Sequence, residues 1–118
     1  RKYIENHYNY LPKKELLRLI IAANYHDIGK PATKFFKPND SVAHYYGHEN
    51  IGAYMVLFIF RASPVESVLY ISSLICYHMM PYVFEKSKEE TIERYKNLWG
   101  KEFYNDIMRL HEADVAAH

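Results

Sequence analysis

The chain has 118 residues, 49% hydrophobic and 25% charged, with a formal net charge of +1 and one cysteine. That is enough chain for one domain with its own core, and the balance of apolar to charged residues excludes disordered and fibrous classes. So small a net charge also excludes nucleic-acid binding driven by bulk electrostatics, although residues 1–40 carry eight Lys/Arg against four Asp/Glu and residues 41–118 seven against ten.

Arg1 to Tyr10 is polar and tyrosine-rich and reads as the end of a helix, broken at Leu11-Pro12. Over residues 13–28 the run Leu16, Leu17, Leu19, Ile20, Ile21, Ala22, Ala23 is apolar nearly all round, the pattern of a central helix with neighbours on every side. Gly29 is expected to end it as a left-handed cap, with Pro31 unable to continue it. Residues 32–43, containing Pro38, Asn39, Asp40 and Ser41, read as a loop with a turn. Lys30, Lys34 and Lys37 would suit a phosphate-bearing ligand there; the plainer reading is a solvated loop.

A helix is predicted over residues 46–61. Ser63-Pro64-Val65-Glu66 has the capping-box pattern and predicts another over 64–81, stopped by Pro81. Ser87 with Glu90 repeats the box and opens a helix to about residue 98, which Gly100 can cap. A last helix runs from about residue 101 towards the terminus. With no strand-length alternation, no hairpin signal and no repeat, the prediction is an all-α bundle of five to six helices.

The most apolar tracts, 51–60 and 68–77, are too short to span a bilayer and no secretory signal is present, so a cytoplasmic protein without a membrane partner is expected. Cys76, in an apolar run, reads as a small buried hydrophobe in a reducing compartment. Opening on Arg1 rather than Met fits a piece of a longer chain. The oligomeric state has no sequence signal.

Polar residues on apolar helical stripes carry the chemistry, because burying an unpaired imidazole or carboxylate costs several kcal/mol. His26 follows Leu19 by seven and Ala22 by four; Asp27 follows Ile20 by seven and Ala23 by four. His78 lies seven, four and three after Ile71, Leu74 and Ile75, and Asp114 closes the line Phe103, Ile107, Leu110. His48 opens its helix one turn before Gly52, whose missing side chain would admit a neighbouring helix. One such histidine is ordinarily a hydrogen-bonded core residue. Several on four helices point to a shared divalent cation, and mixed carboxylate and imidazole ligands favour Mn, Fe, Ni, Mg or Zn. The negative end of the helix dipole beside His26 and Asp27 favours a cation too.

His26-Asp27-Ile28-Gly29-Lys30-Pro31, then Tyr46-Gly47-His48-Glu49, then His78, then Ala113-Asp114, resembles the HD superfamily of metal-dependent phosphohydrolases. In wording it is most similar to the HD domain of bacterial tRNA nucleotidyltransferases, the CCA-adding group. The likeness covers nearly the whole chain, so residues 1–118 read as a single HD-type domain. It implies that His26, Asp27 and Asp114 hold a first metal, that His48 and His78 hold a second or contact substrate, and that Lys30 faces phosphate. Asp27 would bridge two ions. It also implies a further histidine from the preceding helix, expected before Arg1 rather than at His7, leaving the domain without its N-terminal helix.

The activity so implied is hydrolysis of a phosphomonoester or phosphodiester of a nucleotide or RNA end by metal-activated water, with Asp27 and Lys30 in the catalytic step and Lys30 and Lys34 on phosphate. The alternative is a non-hydrolytic module that helps to position RNA, tRNA included, in a nucleotidyltransferase-like protein. A third reading is a helical domain whose buried polar residues only pair with one another. Glu49 could hold His48 or manage a proton, yet an acid in a first helical turn is favourable regardless. His111, three before Asp114, could orient it or lie at the surface. His44 reads as an exposed loop residue and His118 as terminal and without a role. The twelve tyrosines could stack on bases; among Leu and Ile at helical spacing they read as core and rim.

Overall fold

A computed structural model describes residues 1–117, so His118 lies outside the described residues. The chain forms α1 (Lys2–His7), α2 (Lys13–Tyr25), α3 (Lys30–Thr33), α4 (His48–Ile59), α5 (Val65–Cys76), α6 (Met80–Phe84), α7 (Glu89–Trp99) and α8 (Lys101–Ala116). Five of these are long, α2, α4, α5, α7 and α8, and all five fall where the periodicity predicts. An antiparallel ribbon of β1 (Phe35–Phe36) and β2 (Ala43–His44) corrects the reading of residues 32–43 as loop alone, with Phe35 opposite His44 and Phe36 opposite Ala43. Strands of two residues have no alternation to detect. No helix among the described residues is long and apolar enough to cross a membrane.

Two apolar clusters make the core, and α2 contributes to both. Ala22 joins Ala53 and Val56 of α4, Ile71, Leu74 and Ile75 of α5, and Ile107 and Leu110 of α8. Leu19 and Ile20 join Ile4 and Tyr8 at the N-terminus and Ala113 of α8. Neighbours do not surround α2 completely, because Leu17 is 52% exposed and Asn24 is exposed on its open edge. The polar residue Asp106, fully buried on α8, accepts from Tyr70 Oη at 2.6 Å and from Arg109 Nη1 at 2.8 Å, which satisfies both carboxylate oxygens. Burial raises the Tyr70 phenol, and its bond to Asp106 raises it further, so it stays a donor.

Four terminus signals resolve differently from prediction. Gly29 is not a left-handed cap: its φ is −78°, and a Cβ there would lie 2.2 Å from the His48 carbonyl oxygen and 2.7 Å from the Gly52 nitrogen. Close backbone approach, rather than conformational freedom, is what requires glycine. Pro81 does not stop α5, which ends at Cys76; it sits at the start of α6. Neither Ser63 nor Ser87 caps a helix. The N-caps are Pro64 and Lys88, one residue later in each case, and Ser87 Oγ instead donates back to the Val83 carbonyl at 2.8 Å. Gly100 does cap α7, with φ +85°, as expected. Cys76 is half-buried rather than buried, donating to Asn50 Oδ1 at 3.5 Å, and burial pushes its thiol up.

Candidate metal centre

His26 is the first residue past α2, and His78 lies two past α5; both helices end there because the chain turns tightly rather than because a glycine caps them. His48 opens α4 after the left-handed Gly47. Each of the three rings donates Nδ1–H to the carbonyl three residues earlier: His26 to Ala23 at 2.7 Å, His48 to Tyr45 at 3.1 Å and His78 to Ile75 at 2.6 Å. That bond places a proton on Nδ1 and turns Nε2 away from the element's own backbone.

The three Nε2 atoms meet at Asp27. Oδ2 of Asp27 lies 3.2 Å from His26 Nε2 and 3.3 Å from Lys30 Nζ. Oδ1 lies 3.3 Å from His48 Nε2 and 3.8 Å from His78 Nε2. Asp114 reaches the first side, with Oδ1 3.1 Å from His26 Nε2, and Tyr82 donates to its Oδ2 at 3.0 Å. Asp27 thus divides the cluster, one oxygen towards His26 and the other towards the His48 and His78 pair.

Burial opposes a charge on His26, but the bonds to Asp114 and Asp27 outweigh it and raise its pKa to about 10. Without metal, a proton on Nε2 is the cation between the two carboxylates. Burial pushes Asp27 up, yet His26 and Lys30 beside it hold it well below the usual carboxylate range; the bond from His26 holds Asp114 at about 2. On the other side burial lowers His78, so its imidazole is neutral. The Nε2 atoms of His48 and His78 lie 3.2 Å apart and both face Asp27 Oδ1. The two nitrogens are within hydrogen-bonding distance of each other, and both are placed to share a cation with Asp27 Oδ1. Donor atoms about 2.1 Å from one ion stand about 3 Å apart at right angles, so these spacings fit a divalent metal. Among the described residues, donor atoms of His26, Asp27 and His78 all lie within 4.8 Å of one another.

The profile of the family described as HD domain matches residues 2–116. The chain belongs to the HD domain family. This family is one of metal-dependent phosphohydrolases, which accords with the donor set. No curated protein and no solved structure matches the chain.

Other residues singled out in this HD domain lie around the cluster. Lys30 is within it, its ammonium also 5.4 Å from the Tyr45 ring centre. Lys34 is outside, exposed between α3 and the ribbon with its ammonium 5.8 Å from the Phe36 ring. Glu49 Oε2 is 3.4 Å from His48 Nδ1, which already serves the Tyr45 carbonyl. His111 meets the edge of Tyr82 at 4.8 Å between ring centres and so touches the phenol that holds Asp114. His7 stacks on Tyr3 and lines a cavity of about 430 Å³ that extends to His26 and Asp114. His44 is half-buried rather than exposed, 3.2 Å from Asp40 Oδ2.

Tyr82 and the three carbonyls escape a reading of the sequence. Tyr82 stands four after His78, beyond the proline read as a stop. A backbone acceptor has no residue type, so the only trace of those bonds is a histidine just past a helix end.

Proposed function

We propose that this HD domain hydrolyses a phosphomonoester or phosphodiester of a nucleotide or RNA end, with a divalent ion held by His26, Asp27 and Asp114. His48 and His78 would hold a second ion on the far side of Asp27. The observation that carries the reading is the set of three imidazoles, each tied at Nδ1 to a carbonyl so that Nε2 faces one carboxylate. A bound divalent ion supplies Lewis acidity, which acidifies water and offsets phosphate charge.

The chain's own residues supply the rest. The carbonyl bonds hold the rings in place before any ligand arrives, so little reorganisation accompanies binding. Tyr82 holds Asp114 in orientation through Oδ2, leaving Oδ1 for the cation. Lys30, 3.3 Å from Asp27 Oδ2, is placed to meet a phosphate oxygen where a bound ion would take over that carboxylate. Lys34, exposed just before the ribbon, takes a second phosphate oxygen.

The test is turnover of nucleoside monophosphates, 2′,3′-cyclic nucleotides and bis-p-nitrophenyl phosphate by the Mn²⁺- or Mg²⁺-loaded chain. Hydrolysis of at least one is expected, lost in Asp27→Asn and reduced about a hundredfold in Lys30→Ala, the scale of removing one charge-stabilising donor. If the metal-loaded protein hydrolyses none of them, the module that positions RNA without cleaving it replaces this reading.

A further inference from the structure

Residues 30–46 hold three lysines against one acid, Asp40, whose carboxylate already accepts from the Val42 amide at 2.8 Å and faces His44. Each lysine stands over a ring: Lys30 over Tyr45 at 5.4 Å, Lys34 over Phe36 at 5.8 Å and Lys37 over Tyr46 at 5.7 Å. Strands of two residues cannot hold a ribbon by backbone pairing. The rings of Phe35, His44 and Tyr46 do so, with centres 5.3 to 5.5 Å apart. Phe36 stands outside that trio. It is 54% exposed, and among the described residues no other ring packs on it. More than half of the residue is therefore left to solvent. Tyr46, though in the trio, is 62% exposed, so it too offers a face.

Exposed rings alternating with ammonium groups, of which only that of Lys30 is ion-paired among the described residues, are what a single-stranded nucleic acid uses, its bases stacking on the rings and its phosphates meeting the cations. The surface also runs into the metal centre, because Lys30 touches both the Tyr45 ring and Asp27. Three ring-and-cation pairs are more than one mononucleotide can occupy. We infer that the ribbon β1–β2 and the turn after it form a platform for the end of a single-stranded nucleic acid, delivering its terminal phosphoester to Asp27. The inference rests on the phosphoester reading above and narrows its substrate to a strand.

Anisotropy of fluorescein-labelled hexauridylate, titrated in EDTA over a range of salt, tests the platform without the metal. With Lys30 held on Asp27 in EDTA, two phosphates neutralised at about 0.7 each, by Lys34 and Lys37, predict a slope of log K against log salt of about −1.4. Phe36→Ala is expected to weaken binding about tenfold at unchanged slope, with Phe36→Trp restoring it. Lys34→Ala is expected to reduce the slope by about 0.7. Unlabelled hexauridylate should displace the probe at least tenfold better than uridine monophosphate. Equal displacement by the two, or unchanged affinity in Phe36→Ala, would overturn the platform. Neither result touches metal uptake, and loss of metal uptake would leave the EDTA titration as it is, so the two readings fail separately.

Discussion

His26 and His78 share one carboxylate but have opposite protonation behaviour, and the difference gives the metal-free protein a pH optimum. For His26, the bonds to Asp114 and Asp27 overcome burial and raise the folded pKa to about 10, above the unfolded value of about 6.5. That contribution is complete below about pH 6.5 and is lost as pH rises through about 10. For His78, burial lowers the folded pKa, so acidification below about pH 6.5 protonates the unfolded chain first and destabilises the fold. Urea unfolding in EDTA from pH 5 to 10 should therefore show a maximum near pH 6.5, and His26→Asn should flatten the alkaline arm. A metal ion needs His26 without its proton, so the rise in Tm produced by Mn²⁺ should grow with pH over the same range. Apolar stripes made four of the five convergent side chains legible in the sequence, because a charge or imidazole on such a stripe stands out; His48 stood out only by its place at a helix start before Gly52. Tyr82 was not legible, since a tyrosine beside apolar residues is unremarkable and its bond to Asp114 depends on where α6 points.

Each half of the centre is built from the same kind of element: a helix ends at an imidazole, the chain turns, and a short helix with Pro in its first turn follows. Lys30-Pro31 opens α3 after His26, and Met80-Pro81 opens α6 after His78. Read along the sequence, both prolines look like terminators, and only the geometry shows that they begin helices. Gly29 carries the tightest requirement, since a Cβ there would meet backbone of α4 rather than a movable side chain. Gly29→Ala should cost about 3 kcal/mol in urea unfolding and weaken metal uptake by shifting Asp27 away from His48. Gly47→Ala should cost about 1 kcal/mol, because its φ is +76° but a Cβ there would meet nothing within 4 Å. Equal losses in the two variants would show that α3 does not press on α4. The left-handed requirement at Gly47 and the steric one at Gly29 look alike in sequence, as a glycine at a helix terminus.

Across the whole molecule, helix periodicity made the five long helices and their order legible, because each must bury one stripe against the rest. It overstated α2, where Leu17 continues the apolar run but faces solvent, and it missed the ribbon, which rests on ring packing. Leu17→Ala should accordingly change stability by less than about 0.5 kcal/mol, and Leu74→Ala, fully buried between α2, α4 and α8, should cost about 2–5 kcal/mol by the same unfolding measurement. The fold brings the ends of α2 and α5, the start of α4 and the last turns of α8 to one point, where we propose that their donor groups hold a divalent cation. Calorimetric titration of Mn²⁺ into the EDTA-stripped and dialysed protein at pH 8 tests that claim most directly. Binding with proton release is predicted for the native chain, abolished in Asp27→Asn, while absence of binding, or equal binding by the variant, would contradict it.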